Sequence, residues 1–271
     1  MNILHKDKQI QAISCLCEGM SIRGTERHVG VHRDTIMRLS VRIGEGCKLL
    51  HDRLFIDLNV SLIQADEIWS YVGKKQKDDA PSHPKKGDQF IFTALDPISK
   101  AIIAYRVGKR DAKNTVIFID DLRSKILNRP RVQITTDGFS YYKLAIEKAF
   151  VDGVDYAMLI KNAAANEVFV YKERVSGNPK EEYISTSLVE RSNLTLRHHS
   201  KRLCRKTIAH SKKLRNHRAA MALLIAYYNF CKVHVTLRTT PAMALGITSH
   251  IWDVGELMEK ADRIIRMIGL S

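Results

Sequence analysis

The sequence has no unbroken apolar run of about eighteen residues, the length at which a helix begins to be able to cross a bilayer. Its first residues include Lys6, Asp7 and Lys8 and lack the apolar core of a secretory signal. Acidic residues are also scarce, because 29 Asp and Glu stand against 44 Lys and Arg, which gives a net charge of +15. We therefore expect a cytoplasmic protein that has no membrane partner.

Cysteine is rare as well. The chain has five scattered cysteines, which are Cys15, Cys17, Cys47, Cys204 and Cys231. An odd number without regular spacing argues against a disulfide framework. Cys15 and Cys17 lie two residues apart in a helical pattern, so they point to different faces, and no second Cys or His pair is nearby. We expect no zinc site.

The excess of positive charge is concentrated in one part of the chain. Between Arg191 and Pro241 there are twelve Lys or Arg residues and no Asp or Glu. A solvated helix face usually mixes charges of both signs, and this segment does not. Its composition therefore indicates a surface for a polyanion such as nucleic acid.

The amino-terminal residues have the pattern of three short helices. In the stretch GMSIRGTERHVGVHRDTIMR, Ser21 can cap a second helix, and a Gly-containing turn precedes a basic third helix. This pattern predicts a helix-turn-helix domain over residues 1–45, whose last helix would enter the DNA major groove. The residues expected to contact DNA there are Arg33, Thr35, Arg38 and Arg42. A three-helix bundle that does not bind DNA is the alternative.

After a connector over residues 46–60, the sequence changes to strand patterns. Three strands are predicted over residues 62–72, 89–95 and 101–107. A helix, a strand, a helix and a fifth strand are predicted over residues 114–127, 132–136, 141–150 and 156–160. This order predicts an α/β fold with a ribonuclease-H-like mixed sheet, in which three antiparallel strands are followed by parallel strands with helices. The predicted domain spans residues 61–235 and follows the all-α helix-turn-helix domain.

Three carboxylates stand at positions that this topology brings together. Asp66 lies within the apolar first strand, and Asp137 ends the strand that a right-handed crossover lays beside it. Glu190 lies in a predicted helix with Asn193 and Arg197 on the same face. An all-oxygen ligand set suits two divalent cations, Mg²⁺ or Mn²⁺, and two such ions support phosphodiester cleavage.

Each acid taken alone has a simpler explanation. An aspartate at a strand end often caps a turn, and Glu190 could be a surface charge paired with a nearby arginine. Glu67 is a rival ligand, but we expect it to face away from Asp66, because side chains alternate along a strand. Only the joint placement of Asp66, Asp137 and Glu190 favours a metal site.

Several segments resemble the IS1 family of bacterial insertion-sequence transposases. They are ADEIWSYVG, TTDGFSYY, STSLVERSNLTLRHHSKRLCRKTIAHSKK and the tail YYNFCKVHVTLRTTPAMALGI, and the likeness covers roughly residues 15–253. The resemblance implies a DDE transposase with Asp66, Asp137 and Glu190 as catalytic metal ligands. It implies cleavage of DNA strands and transfer of the 3′-hydroxyl at element ends, in the bacterial nucleoid. Members often carry a Cys-rich zinc ribbon before the helix-turn-helix, which is not seen in this sequence.

The basic segment is predicted to be helical over residues 187–218 and to follow the DNA backbone rather than to read bases. The expected DNA contacts are Asn193, Arg197, Lys201, Arg202, Arg205, Lys206, Lys212 and Lys213. A buried helix over residues 219–230 and a carboxy-terminal helical tail over residues 236–271 are expected to follow. We predict that Tyr227, Tyr228 and Phe230 belong to the core.

Three functions compete. The leading hypothesis is a transposase that binds double-stranded DNA, both element ends and target, as a homo-oligomer. The alternative from another class is a catalytically silent DNA-binding regulator that retains the helix-turn-helix. A third is a ribonuclease-H-type or structure-specific nuclease that cuts without joining. The intact acidic triad disfavours the regulator, and the amino-terminal helices disfavour the simple nuclease.

Overall fold

A computed structural model describes residues 4–76, 83–127, 131–164 and 167–269 of the chain. The chain divides into two compact units. Unit 1 comprises residues 1–54, 69–89 and 194–271, and unit 2 comprises residues 55–68 and 90–193. None of the helices described combines the length and the apolar composition that a bilayer crossing requires.

Unit 1 begins with three helices, which are α1 (Lys6–Cys17), α2 (Ile22–Val29) and α3 (Arg33–Leu54). The Ser21 hydroxyl accepts a hydrogen bond from the Gly24 amide at 3.0 Å, as expected of an N-cap. Helix α3 is longer than predicted and includes most of the 46–60 connector. It continues because Cys47, Leu50 and His51 prolong its buried stripe at helical spacing.

Helix α3 packs against two carboxy-terminal helices, α7 (Leu214–Phe230) and α9 (Val254–Met267), and the short α8 (Pro241–Ala244) lies between them in sequence. Gly44 permits the approach to α7, since a Cβ at this position would lie 2.1 Å from the Ala219 carbonyl oxygen. Phe230 stacks on Trp252 with ring centroids 4.4 Å apart. The predicted core residues Tyr228 and Phe230 are buried, and Tyr227 is half-buried.

Six strands form one mixed sheet in the order β3-β2-β1-β4-β5-β6. They are β1 (Leu62–Val72), β2 (Gly87–Leu95), β3 (Ile102–Gly108), β4 (Gln133–Asp137), β5 (Asp155–Ala164) and β6 (Glu167–Ser176). Strand β4 runs parallel to both β1 and β5, and β2 and β3 are antiparallel. This is the predicted ribonuclease-H-like order. The sixth strand was not predicted, and it pairs antiparallel with β5.

Helices α4 (Ala112–Lys125) and α5 (Tyr141–Ala149) pack on one another in unit 2 and supply the crossovers between strands. Their aromatic side chains form the centre of the core, where Phe118 lies 5.5 Å from Phe92 and 6.5 Å from Tyr142 between ring centroids. All three rings are fully buried. Burial of this aromatic area holds the helices to the sheet.

The predicted basic helix over residues 187–218 is interrupted. Helix α6 (Ser187–His199) is followed by a single 3₁₀ turn (Lys201–Leu203), and the next helix begins only at Leu214. The intervening stretch contains closely spaced cations and the fully exposed Ile208, and it lacks the periodic apolar residues that bury a helix face.

Candidate metal centre

Strands β1 and β4 bring two of the predicted acids together. Ala65 on β1 pairs with Thr136 on β4, so the next residue along each strand is Asp66 and Asp137 respectively. One carboxylate oxygen from each of Asp66, Glu67 and Asp137 lies within 4.8 Å of the others. The topology therefore creates an oxygen-rich cluster from residues that are far apart in the sequence.

The expectation that Glu67 faces away from this cluster was wrong. Its carboxylate belongs to the group, and its side chain is only 3% exposed. Strand β4, which lies between β1 and β5, ends at Asp137, so beyond that residue no strand lies between those two. The Glu67 side chain, which is one methylene longer than aspartate, can reach the Asp137 carboxylate around this end.

Arg110 connects two members of the cluster. Its Nε donates to Glu67 Oε2 at 2.9 Å, and its Nη2 donates to Asp137 Oδ2 at 3.5 Å. The guanidinium carbon lies 3.7 Å from the centre of the Phe139 ring, within cation–π range. Sequence reasoning did not single out Arg110, which precedes α4 and carries no motif of its own.

Asn193 orients the Asp66 carboxylate. Its Nδ2 donates to Asp66 Oδ2 at 2.8 Å, and its Oδ1 accepts a hydrogen bond from the Thr93 hydroxyl at 3.2 Å. Asn193 is 2% exposed, so the expectation that it contacts DNA is contradicted. Asn193 turns toward β1, and its amide is therefore not free to bind a phosphate.

Gln64 attaches helix α6 to the strand of Asp66. Its Oε1 accepts hydrogen bonds from the backbone amides of Leu188 and Val189, both at 3.0 Å. These amides lie in the first turn of the helix and have no partner within it. Gln64 thus fixes the start of α6, and with it Glu190, relative to Asp66. A glutamine two residues before the first acid was a signal that sequence reasoning missed.

Glu190 is not among the carboxylates that meet within 4.8 Å. Its Oε1 accepts hydrogen bonds from Lys161 Nζ at 2.5 Å and from the Thr186 hydroxyl at 2.7 Å. The Glu190 charge still acts on Asp66, whose pKa it helps to raise. Its side chain is 44% exposed, so it could change rotamer without disturbing the core.

Burial makes two of these acids reluctant to ionise. It raises the pKa of Asp66 to about 6; the nearby Asp137 adds to that rise, while hydrogen bonds from the Glu67 amide and from Asn193 oppose it. Burial likewise raises the pKa of Glu67 to about 7, with Asp137 adding to the rise and Arg110 opposing it. For Glu190, burial raises the pKa, but hydrogen bonds from Lys161 and Thr186 outweigh it and leave the pKa lowered.

The cluster has the chemistry of a site for hard divalent cations. All of its ligand atoms are carboxylate oxygens, the donor type that Mg²⁺ and Mn²⁺ prefer. Glu67 Oε1 is buried and meets no hydrogen-bond partner among the described residues, although the Tyr142 hydroxyl is near enough to influence its ionisation. A cation would satisfy this oxygen and would also offset the repulsion between the acids.

The predicted DNA contacts at the amino terminus lie on the first half of α3. Arg33, Arg38 and Arg42 are exposed, and Thr35 is half-buried. Arg42 has protein partners, since its guanidinium lies 3.4 Å from Asp262 and 3.1 Å from the Gln9 amide oxygen.

The predicted contacts of the basic segment are mostly exposed. Lys201, Arg205, Lys206, Lys212 and Lys213 lie on the surface, and Arg197 is half-buried. Arg202 is also half-buried; its guanidinium donates to the Ser211 hydroxyl at 2.8 Å, and burial lowers its pKa. That these residues contact DNA stays a prediction.

No protein-family model and no curated protein matches this chain. Among solved structures, the chain is similar to a piggyBac transposase synaptic complex with hairpin DNA, with 11% identity and a TM-score of 0.45 over 100% of this chain and 75% of that one. It is also similar to the Mos1 strand transfer complex, with 11% identity and a TM-score of 0.32 over 99% and 80% of the two chains. A pre-cleavage Mos1 transpososome gives 10% identity and a TM-score of 0.32 over 99% and 81%.

Proposed function

We propose that this protein is a DNA transposase that cleaves DNA strands at element ends and transfers the 3′-hydroxyl to target DNA. The observation that carries the proposal is the meeting of Asp66 and Asp137 at the ends of two parallel strands, together with a third carboxylate within 4.8 Å. The sequence resemblance to IS1-family transposases supports transfer as well as cutting.

We propose that Asp66, Asp137 and Glu190 hold two divalent cations, Mg²⁺ or Mn²⁺. When bound, such ions activate the attacking oxygen and stabilise the leaving oxygen of a phosphodiester. The protein's part is to hold its acids in register. Asn193 fixes the rotamer of Asp66 through the 2.8 Å hydrogen bond, and Gln64 fixes the start of the helix that carries Glu190. To bind a metal ion, Glu190 would have to give up its hydrogen bond from Lys161.

Glu67 is an additional ligand candidate beside the three predicted acids. Its carboxylate lies in the cluster, whereas that of Glu190 does not. An exchange of Glu190 for Glu67 in the ligand set would leave the charge of the centre unchanged. Substitution of each in turn by glutamine separates the two roles, because loss of a direct ligand lowers the metal affinity more than loss of a nearby charge does.

The positive charge of the chain supports DNA as the partner. The exposed lysines and arginines after α6 have no acidic residue near them in sequence, so we propose that they bind backbone phosphates. Arg33 and Arg38 on α3 are exposed and are proposed to contact DNA through the helix-turn-helix. Joining two element ends requires both to be held at once, so we expect a homo-oligomer on DNA.

The test is a Mg²⁺-dependent cleavage and joining assay with DNA that contains the element ends, using Asp137→Asn as the inactive variant. Asparagine retains an acceptor for the Phe139 amide, which bonds Asp137 Oδ1 at 3.1 Å, so the turn after β4 is preserved. Asp57→Asn is the matched control, because this aspartate is exposed and lies outside the cluster. We expect the control to cleave normally and Asp137→Asn to lose activity.

The same assay separates the competing functions. A transposase joins a pre-cut 3′ end to a second DNA in the presence of Mg²⁺. Hydrolysis without joining would assign the protein to the nucleases. DNA binding without any metal-dependent chemistry would assign it to the regulators. Equal cleavage by Asp137→Asn and the unchanged protein would refute the role given to the cluster.

A further inference from the structure

The acidic cluster already contains a cation of the protein's own. Arg110 contacts Glu67 on one side and Asp137 on the other, and it rests on the face of Phe139. The two oxygens of Asp137 are thereby both engaged, because Oδ1 accepts from the Phe139 amide and Oδ2 accepts from Arg110. A metal ligated by Asp137 Oδ2 must share or displace this guanidinium.

The two contacts of Arg110 are unequal. The bond to Glu67 is short at 2.9 Å and its acceptor is buried, whereas the contact with Asp137 is longer at 3.5 Å and its acceptor is 35% exposed. Charge-assisted hydrogen bonds strengthen as they shorten and as water is excluded. The Asp137 contact is therefore the weaker of the two and is the one that a competing cation would break.

We propose that Arg110 is an internal counter-cation of this centre, which holds Asp137 when no divalent ion is bound and lowers the centre's affinity for such ions. This inference rests on the proposed function, since it assumes that the cluster binds a divalent cation. Glu67 anchors Arg110 during the exchange, so the guanidinium is moved aside without leaving the site.

The expected size of the effect follows from the charges. A single positive charge a few ångströms from a divalent ion repels it even at the dielectric constant of water. Removal of that charge should tighten metal binding about tenfold, which corresponds to about 1.4 kcal/mol. If Arg110 instead served only to hold the acids in place, its removal would loosen the site and weaken binding. The two roles therefore predict opposite signs.

The experiment measures Mn²⁺ binding to the full chain without DNA, by the electron paramagnetic resonance signal of free Mn²⁺, at pH 8. Arg110→Gln removes the charge, and Arg110→Met removes it while keeping an aliphatic side chain against Phe139. Arg110→Lys retains the charge. Arg123→Gln is the matched control, because Arg123 also pairs with an aspartate (Asp152, 3.6 Å) and lies over a phenylalanine (Phe150, 5.6 Å).

Arg110 precedes α4 and Arg123 lies in its last turn, and this helix of 14 residues is about 21 Å long. We expect Kd for Mn²⁺ to fall about tenfold in Arg110→Gln and Arg110→Met, and to stay near that of the unchanged protein in Arg110→Lys and Arg123→Gln. Circular dichroism verifies that the variants are folded.

Two results would overturn the inference on Arg110, and only the second of them would also refute the proposed metal centre. In the first, the unchanged protein binds Mn²⁺ and Asp137→Asn does not, but Arg110→Gln and Arg110→Met bind Mn²⁺ no more tightly than the unchanged protein. The metal centre then stands, and the role of Arg110 is refuted. If the unchanged protein binds no Mn²⁺ at this site, the proposed function loses its metal centre and the inference on Arg110 is refuted with it.

Discussion

Because the pKa of Asp66 is raised, the ionised carboxylate lowers the free energy of unfolding of the metal-free protein at neutral pH. Its pKa in the folded protein is about 6, above the 3.8 of an unperturbed aspartate. Because the folded-state value is the higher one, the folded protein holds this proton more tightly than the unfolded chain. The stability that protonated Asp66 contributes is fully present below about pH 4 and is lost as the pH rises through 6.

The magnitude follows from the two pKa values. A difference of about two units, at 1.36 kcal/mol per unit, amounts to about 3 kcal/mol. Substitution of Asp66 by asparagine removes the ionisable proton but keeps the size of the side chain and an acceptor for Asn193. We expect Asp66→Asn to gain about 2–3 kcal/mol in free energy of unfolding relative to the unchanged protein between pH 4 and pH 8.

The assay is urea unfolding across this pH range in the presence of a chelator. Asp57→Asn is the control, since this exposed residue has a φ of 51°, where asparagine is well tolerated. A variant that is less stable than the unchanged protein at pH 8, or a difference that does not change with pH, would refute the reasoning. Mg²⁺ at about 100 times its Kd should add about 2.7 kcal/mol to the unchanged protein and much less to Asp66→Asn.

Three further predictions concern single side chains. Asn193→Leu should lower the free energy of unfolding at pH 8 by about 2 kcal/mol, because ionised Asp66 loses its hydrogen bond; urea titration measures this, and an unchanged midpoint contradicts it. Gly44→Ala should cost about 1–3 kcal/mol through overpacking against Ala219, whereas stabilisation in the same titration would mean that helix propensity prevails. Lys212→Gln should reduce the slope of log K for DNA against log salt by about 0.9, and an unchanged slope would mean that this lysine contacts no phosphate.

Local pattern was sufficient for most of the secondary structure. The apolar, β-branched and aromatic composition of Leu62–Val72 predicted β1 with the bounds that the structure has, and Ser21 marked the start of α2. Errors arose where tertiary burial outweighs local signals. Helix α3 continues through the predicted connector because its apolar stripe packs against α7 and α9, which lie more than 150 residues further along the chain.

The candidate site divides in the same way. The predicted strand order was sufficient to bring Asp66 and Asp137 to the same place, since a right-handed crossover lays β4 parallel to β1. The register in the structure, in which Ala65 pairs with Thr136, agrees with this. The orientation of side chains beyond a strand end was not predictable, and Glu67 joined the cluster for that reason. Asn193 was expected at DNA and is instead buried against Asp66.

The sequence by itself determined the class of fold, the pairing of two acids and the basic character of the segment after α6. These follow from periodicity and composition, which act locally along the chain. Only the tertiary structure decided that Arg110 bonds to both Glu67 and Asp137 and that Gln64 holds the start of α6. Such contacts join residues that are distant in sequence. Their geometry depends on how the strands and helices that carry them are placed once they have packed.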